Sequence, residues 1–164
     1  MPDYPAEEIR IIEFGEEDAK EISHLFHEVW AQSTEYPEDW RQGRMYSPEK
    51  IIEEMREGIH YFGAKLEGKI VGLYKATITD KGLYGEHQTV APKCRVTGLA
   101  SAMYIQFAEY GRKNGCKRNY CNILVGQEVG LRLMKKFDFL PWGDPYEQAE
   151  GMWVQLYERP LNDE

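Results

Sequence analysis

The residues best suited to chemistry lie in one run, Thr89-Val90-Ala91-Pro92-Lys93-Cys94-Arg95-Val96-Thr97-Gly98-Leu99-Ala100. A strand stops here at a proline, which cannot donate to a ladder, and a helix starts a few residues later. The first turn of a helix carries N–H groups without acceptors and a partial positive charge, so it suits phosphate. Gly98 would let the backbone approach such a ligand closely, and Arg95 would add a fixed positive charge. Out of context, Arg-x-x-Gly-x-Ala could equally mean a helix packed tightly on a sheet. Cys94 sits beside this run, but no His or Asp is spaced to activate it, so it reads as incidental. His24 and His27 stand three apart on a helical stretch with no third ligand at matching spacing, which reads as a solvated helix face rather than a metal site.

The elements around this run follow from hydrophobic period. Glu8 to Phe14 reads as a short strand, and Glu16, Glu17 and Asp18 open a helix with Ile22, Leu25, Phe26, Val29 and Trp30 on one stripe. Ser47 and Pro48 read as N-cap and first residue of a second helix that stops at Gly58. Three strands follow, Tyr61 to Leu66, Ile70 to Thr79 and Leu83 to Ala91, joined by turns at Glu67-Gly68 and Asp80 to Gly82. A helix runs from Leu99 to about Asn114-Gly115, a buried strand from Asn119 to Val125, a helix from Glu128 to Phe137 and a last strand from Met152 to Tyr157, with Pro141 to Gly151 as a long loop. Hairpin spacing early in the chain implies antiparallel pairing, whereas strand–helix–strand from Leu83 to Val125 implies a right-handed parallel crossover. The expected result is one domain over residues 1–164, an α/β (α+β) mixed sheet with helices on its faces.

Composition narrows the partners. The chain is 42% hydrophobic and 29% charged, a soluble globular balance, and its formal net charge of −8 disfavours nucleic acid, which needs a basic face. No apolar run is long enough to span a bilayer. Three cysteines without a CxxC, and no secretory leader, read as a cytoplasmic protein with free thiols. No Walker or dinucleotide glycine fingerprint is present, which argues against another nucleotide-binding α/β family.

In that context the run resembles the signature of the GNAT superfamily of N-acetyltransferases: Gln or Arg, two residues, Gly, one residue, then Gly or Ala. Arg95, Gly98 and Ala100 match it, and Val90 and Pro92 match the Val-x-Pro of the family's fourth strand. The resemblance extends to the element order over nearly the whole chain. It implies a GNAT-like fold whose mostly antiparallel sheet contains one parallel pair, the fourth and fifth strands, that splays apart. The co-substrate would be acetyl-CoA, with no metal. Its pantetheine arm would pair with the backbone of Thr89 and Val90, and the N–H groups of Val96, Thr97, Gly98, Leu99 and Ala100 would hold the pyrophosphate. A backbone N–H near Val90 would polarise the thioester carbonyl. Homodimers, common in the family, are a further expectation.

The chain departs from the family pattern in three places. Val96 stands where a Gly often follows the Arg. Gln127 stands where an Asn often touches CoA. Met134 stands where many members have the Tyr that protonates the leaving thiolate, and Asp138 replaces the Gly of the Lys-x-Gly-Phe that follows. A thiol of reference pKa near 8.5 leaves tolerably without full protonation. Tyr120, on the fifth strand, is a substitute donor or else a core residue.

An amine acceptor, by contrast, is almost wholly protonated at pH 7 and needs a base. Glu86 lies four residues before Val90 on the same strand face, where family members often hold one. His87, by strand alternation, would point to the opposite face. In the stretch Trp30 to Tyr46, the aromatics Trp30, Tyr36, Trp40 and Tyr46 with nearby acids could box a cationic amine, or could be packing over the core. Arg41 and Arg44 could instead meet an acceptor carboxylate, and Trp142, Tyr146 and Trp153 could face the same cleft. Two functions stay open: acetyl transfer to the primary amine of a small molecule or peptide by direct attack, or a catalytically weak acyl-CoA-binding sensor of the same fold.

Overall fold

The structure, a computed structural model, describes residues 9–94 and 98–161. The chain begins with strand β1 (Ile12–Glu13) and a 3-10 turn (Glu16–Asp18), in which the Asp18 carboxylate accepts from the N–H of Gly15 at 3.0 Å. Helix α1 (Ala19–Trp30) follows and buries the expected stripe, Ile22, Leu25, Phe26, Val29 and Trp30. A short helix α2 (Glu38–Gln42) lies between the two expected helices, in the aromatic stretch. Helix α3 (Pro48–Arg56) starts as expected: the Ser47 hydroxyl accepts from the N–H of Lys50 at 3.1 Å and Pro48 takes the first position.

Strands β2 (His60–Leu66) and β3 (Lys69–Thr79) form a hairpin whose two turn residues, Glu67 and Gly68, both have positive φ, as a turn matched to strand twist requires. Strand β4 (Gly82–Val90) leads through a 3-10 turn (Pro92–Cys94) towards helix α4 (Leu99–Lys113). Strand β5 (Arg118–Leu124), helix α5 (Glu128–Lys136) and strands β6 (Leu140–Pro141), β7 (Tyr146–Ala149) and β8 (Met152–Pro160) complete the chain. The segment read as a long loop therefore contains the end of β6 and the whole of β7, both pairing β8 at the edge of the sheet.

The sheet order is β1-β2-β3-β4-β5-β8-β6, with β7 also on β8, and every pairing is antiparallel except β4 with β5. Helices cover both faces. On one, α1 and α3 bury Phe26, Ile51, Tyr61 and Leu73; on the other, α4 and α5 bury Leu83, Leu99, Met103, Phe107 and Met134. No helix among the described residues is long and apolar enough to cross a membrane. The mixed sheet with one parallel pair and helices on both faces is the architecture expected from the sequence.

Candidate active site

The parallel pairing of β4 and β5 is brief. Its register covers only Leu83 with Asn119 and Tyr84 with Tyr120. Beyond Tyr84 the strands diverge, and β5 stays paired to β8 along its whole length. The β5-facing edge of Gly85 to Val90 therefore has no ladder partner, and a cavity of about 1010 Å³ opens between the strands. The cavity runs through the sheet plane. On one side it touches Ala100, Met103, Tyr104 and Leu133 from α4 and α5; on the other, Trp30, Tyr36, Trp40 and Arg44 from the α1–α2 region.

The β4 wall does not alternate regularly. Leu73 pairs with Thr89 and Lys75 with Glu86, so Tyr74 faces two residues, His87 and Gln88. This is a β-bulge, and His87 takes φ 57, a left-handed conformation uncommon outside glycine. The consequence corrects the alternation argument. His87 lies on the same face as Glu86, against Phe26, Trp30 and Tyr46. Its neighbour Gln88 lies on the other face, accepting from the Tyr104 hydroxyl at 3.3 Å.

Glu86, His87 and Arg44 form a compact polar cluster. His87 Nδ1 is 2.7 Å from Arg44 Nη1 and 3.3 Å from Glu86 Oε1, and the Arg44 and Glu86 charges approach to 3.9 Å. A guanidinium can only donate, so Nδ1 accepts and the ring proton belongs on Nε2. That atom is sealed from solvent and has no partner among the described residues. Burial lowers the His87 pKa to about 4, so the ring is neutral at pH 7. Burial alone would raise the Glu86 carboxyl; the His87 contact and the positive charges of Lys75 and Arg44 outweigh it, and the net shift is downward. Glu86 is therefore ionised at neutral pH.

Behind this cluster stands a buried network. Lys75 Nζ donates to Glu54 Oε1 at 2.8 Å and to the Tyr46 hydroxyl at 3.1 Å, and the Tyr61 hydroxyl donates to the same Glu54 oxygen at 2.7 Å. Tyr46 thus belongs to the support of the site and does not line the cavity. Trp30, Tyr36 and Trp40 do line it, with Tyr36 and Trp40 stacked at 4.7 Å. The cation over these rings is the protein's own: Arg44 Cζ lies 4.1 Å from the Trp40 ring centroid and 5.7 Å from that of Trp30. Arg41 is spent on structure, donating to the carbonyls of Trp30, Ala31 and Tyr36 beyond the end of α1.

The other expected residues separate by position. Thr89 is buried with its hydroxyl engaged, accepting from Trp30 Nε1 at 3.1 Å and donating to the His87 carbonyl at 2.8 Å. Only its backbone is left for a ligand; Val90 lines the cavity. Gly98 takes φ 79 at the N-cap of α4, a conformation that favours glycine. The first helical bond runs from Ala102 to the Gly98 carbonyl, which leaves the N–H groups of Leu99, Ala100 and Ser101 ahead of it. Leu99 itself is buried over Gly72, where any Cβ would collide with it, while Ala100 lines the cavity. Arg95, Val96 and Thr97 lie outside the described residues. Gln127 caps the start of α5 and lines the cavity, but its side chain donates to the Tyr36 hydroxyl at 3.3 Å.

Tyr120 lies at the closed end of the strand pair, not in the cavity lining, and its hydroxyl shares a 2.6 Å hydrogen bond with Thr79. Trp142 packs edge-on against it, and Tyr146 and Trp153 are exposed; from this end of the chain, Gln148 and Val154 line the cleft. Met134 is buried with its sulfur 3.8 Å from Cys121. The residues missed from the sequence are Tyr84 and Asn122. Both line the cavity, Asn122 Nδ2 donates to the Tyr84 hydroxyl at 3.3 Å, and Asn122 Oδ1 is sealed and has no partner among the described residues. Tyr84 sits two residues before Glu86 on one strand face, a signal that was available. Cys94 is buried, and His24 and His27 are exposed on α1, with the His27 ring against the Ser23 carbonyl. Among the described residues no group of three or more metal-ligating side chains forms.

The pattern of one family, described as the acetyltransferase (GNAT) family, matches residues 23–139. A comparison with curated protein sequences found no match. Among solved structures, PaiA N-acetyltransferase from Thermoplasma acidophilum in complex with coenzyme A superposes with a TM-score of 0.78, at 16% identity, over 93% of this chain and 98% of that one. The yncA protein from Salmonella typhimurium, solved with its cofactor acetyl-CoA, gives 0.76 at 14% identity over 95% of each chain. Ribosomal-protein-alanine N-acetyltransferase from Brucella melitensis gives 0.77 at 14% identity over 93% of this chain and 100% of that one. At such identities the likeness is one of fold.

Proposed function

Because the chain belongs to the GNAT acetyltransferase family, we propose that it moves the acetyl group of acetyl-CoA onto the primary amine of a small molecule or peptide, by direct attack within the β4–β5 cleft. One observation carries this: the parallel pair stops after Tyr84 and leaves an unpaired strand edge facing a large cavity. An extended ligand arm would satisfy that edge as a substitute strand, because unpaired backbone groups away from water are costly. The fit extends to the α4 start, where Gly98 and the unmatched N–H groups suit a pyrophosphate, with Arg95, Val96 and Thr97 as the neighbouring part of that loop.

The chain's own residues divide the remaining work. Glu86, ionised and on the cavity wall, takes the proton of the attacking amine directly or through one water. His87 is neutral and its Nδ1 accepts from Arg44, so it holds that guanidinium beside the Glu86 carboxylate and does not itself take the proton. Tyr84 and Asn122 are the polar groups of the splayed strands on the acceptor side; burial pushes the Tyr84 hydroxyl up to about 12, so it remains a hydrogen-bond donor at working pH. With Met134 in place of the usual Tyr, the thiolate leaves with hydrogen bonding rather than full proton transfer. Trp30, Tyr36 and Trp40 wall the acceptor side, and Tyr46 braces it from behind. Release of free thiol from acetyl-CoA across a broad amine panel tests the proposal. Acetyl-CoA binding with no turnover on any amine would favour the sensor reading instead.

A further inference from the structure

The acceptor side of the cavity is a pair of opposite charges. Sequence alone left the aromatic stretch open between a box for a cation, packing over the core and an arginine site for an acceptor carboxylate; the box is filled by Arg44, stacked on Trp40 and flanked by Trp30. The Arg44 side chain is 13% exposed and lines the cavity. Among the described residues, one of its five N–H donors, on Nη1, meets a protein acceptor, His87 Nδ1. The other nitrogens have no acceptor among the described residues, and none is sealed from solvent. A stacked, planar guanidinium with open donors is the geometry that reads a carboxylate in bidentate fashion. Within 3.9 Å of it lies the Glu86 carboxylate. Glu35, also in the lining, adds a further negative group. Acceptors for an ammonium and donors for an anion therefore stand side by side.

We infer that the acetyl acceptor carries a carboxylate close to its reacting amine, as a free amino acid does, and that Arg44 is the specificity-determining residue that binds it; this rests on the acetyl-transfer reading above. A simple alkylamine or polyamine would leave the guanidinium fork unmet beside a second cation. A zwitterion meets both ends of the site.

The test compares matched acceptors that differ only in the carboxylate: tyrosine with tyramine, lysine with cadaverine, methionine with 3-(methylthio)propylamine. Thiol release gives kcat and KM for each in the wild type, in Arg44→Gln and in Arg44→Lys, with thermal unfolding to confirm that each variant is folded. The expected result is a preference for the amino acid of about tenfold or more in kcat/KM, the worth of one charge-assisted hydrogen bond, expressed mainly in KM. Arg44→Gln should bring that ratio close to one, and Arg44→Lys should keep part of it. A merely structural Arg44 would lower both members of a pair together and leave the ratio unchanged. Calorimetric titration of the same pairs, with and without CoA, reads the preference even where turnover is absent. Failure to bind acetyl-CoA would count against the transfer reading. Acetyl-CoA binding with no carboxylate preference, or a preference that survives Arg44→Gln, would overturn the inference alone.

Discussion

Glu86 and His87, adjacent in sequence, share one face of β4, with Oε1 and Nδ1 3.3 Å apart, because a bulge opposite Tyr74 inserts a residue between them and the regular ladder. The bulge brings an anionic carboxylate and a neutral imidazole onto one wall and turns Gln88 away to α4. The backbone irregularity is thus what assembles the polar cluster.

Glu86→Gln should leave acetyl-CoA affinity unchanged and lower kcat by about 10²–10⁴, the usual worth of a general base. Because the Glu86 carboxyl is held below its ordinary 4.5, its acid limb in kcat/KM should lie below that pH. Between pH 5 and 8 the rate should instead climb with the neutral fraction of the acceptor amine. A limb near 6.5 in the pH–rate profile would point to a histidine with an ordinary pKa and remove Glu86 from this role.

His87 links stability to pH in a defined direction. Its folded pKa, about 4, lies below the ordinary 6.5, chiefly through burial. Stability should therefore be complete above about pH 6.5 and fall as the pH drops towards 4, by on the order of 3 kcal/mol, because the unfolded chain binds the proton more readily. In His87→Gln, urea unfolding at a series of pH values should show a shallower loss across that window. An identical slope would mean that other groups carry it.

Much of this was legible in the sequence. Ser47 and Pro48 start α3 as their chemistry requires, Glu67 and Gly68 make the β2–β3 turn, and the β4–α4–β5 crossover is parallel. What was lost has physical causes. Period-two alternation assumes an unbroken strand, so it cannot register an inserted residue, and His87 went to the wrong face. Helix α2 spans five residues with one aromatic, too short to show a period. Strand β7 carries Tyr146, Glu147, Gln148 and Ala149, a mostly polar outer strand, and so reads as loop. Arg44 and Trp40 are four apart, but a sequence does not tell whether an aromatic wall faces a ligand's cation or the chain's own.

Lys75 and Glu54 are both almost wholly buried and paired at 2.8 Å. Lys75→Met should destabilise the fold by about 3–5 kcal/mol, since it leaves the Glu54 carboxylate without its buried cation and with only the half-exposed Lys50 at 3.9 Å. The double variant Lys75→Met, Glu54→Gln should recover much of that loss in chemical unfolding. If the single variant is as stable as wild type, the pair is not held as described.

Gly98→Asp should abolish acetyl-CoA binding, because it sets bulk and negative charge at the α4 start. The fold should tolerate it with a penalty of about 1–2 kcal/mol for a side chain in the left-handed region. A folded variant with wild-type affinity would displace the pyrophosphate from this turn.

Calorimetric titration of the purified protein, with desulfo-CoA and ATP as controls, decides whether the splayed β4–β5 cleft receives acetyl-CoA. Acetyl-CoA and desulfo-CoA should each bind saturably, at one site per chain, with no heat from ATP beyond dilution. Absence of binding at millimolar acetyl-CoA, or equal binding of ATP, would contradict that role for the cleft.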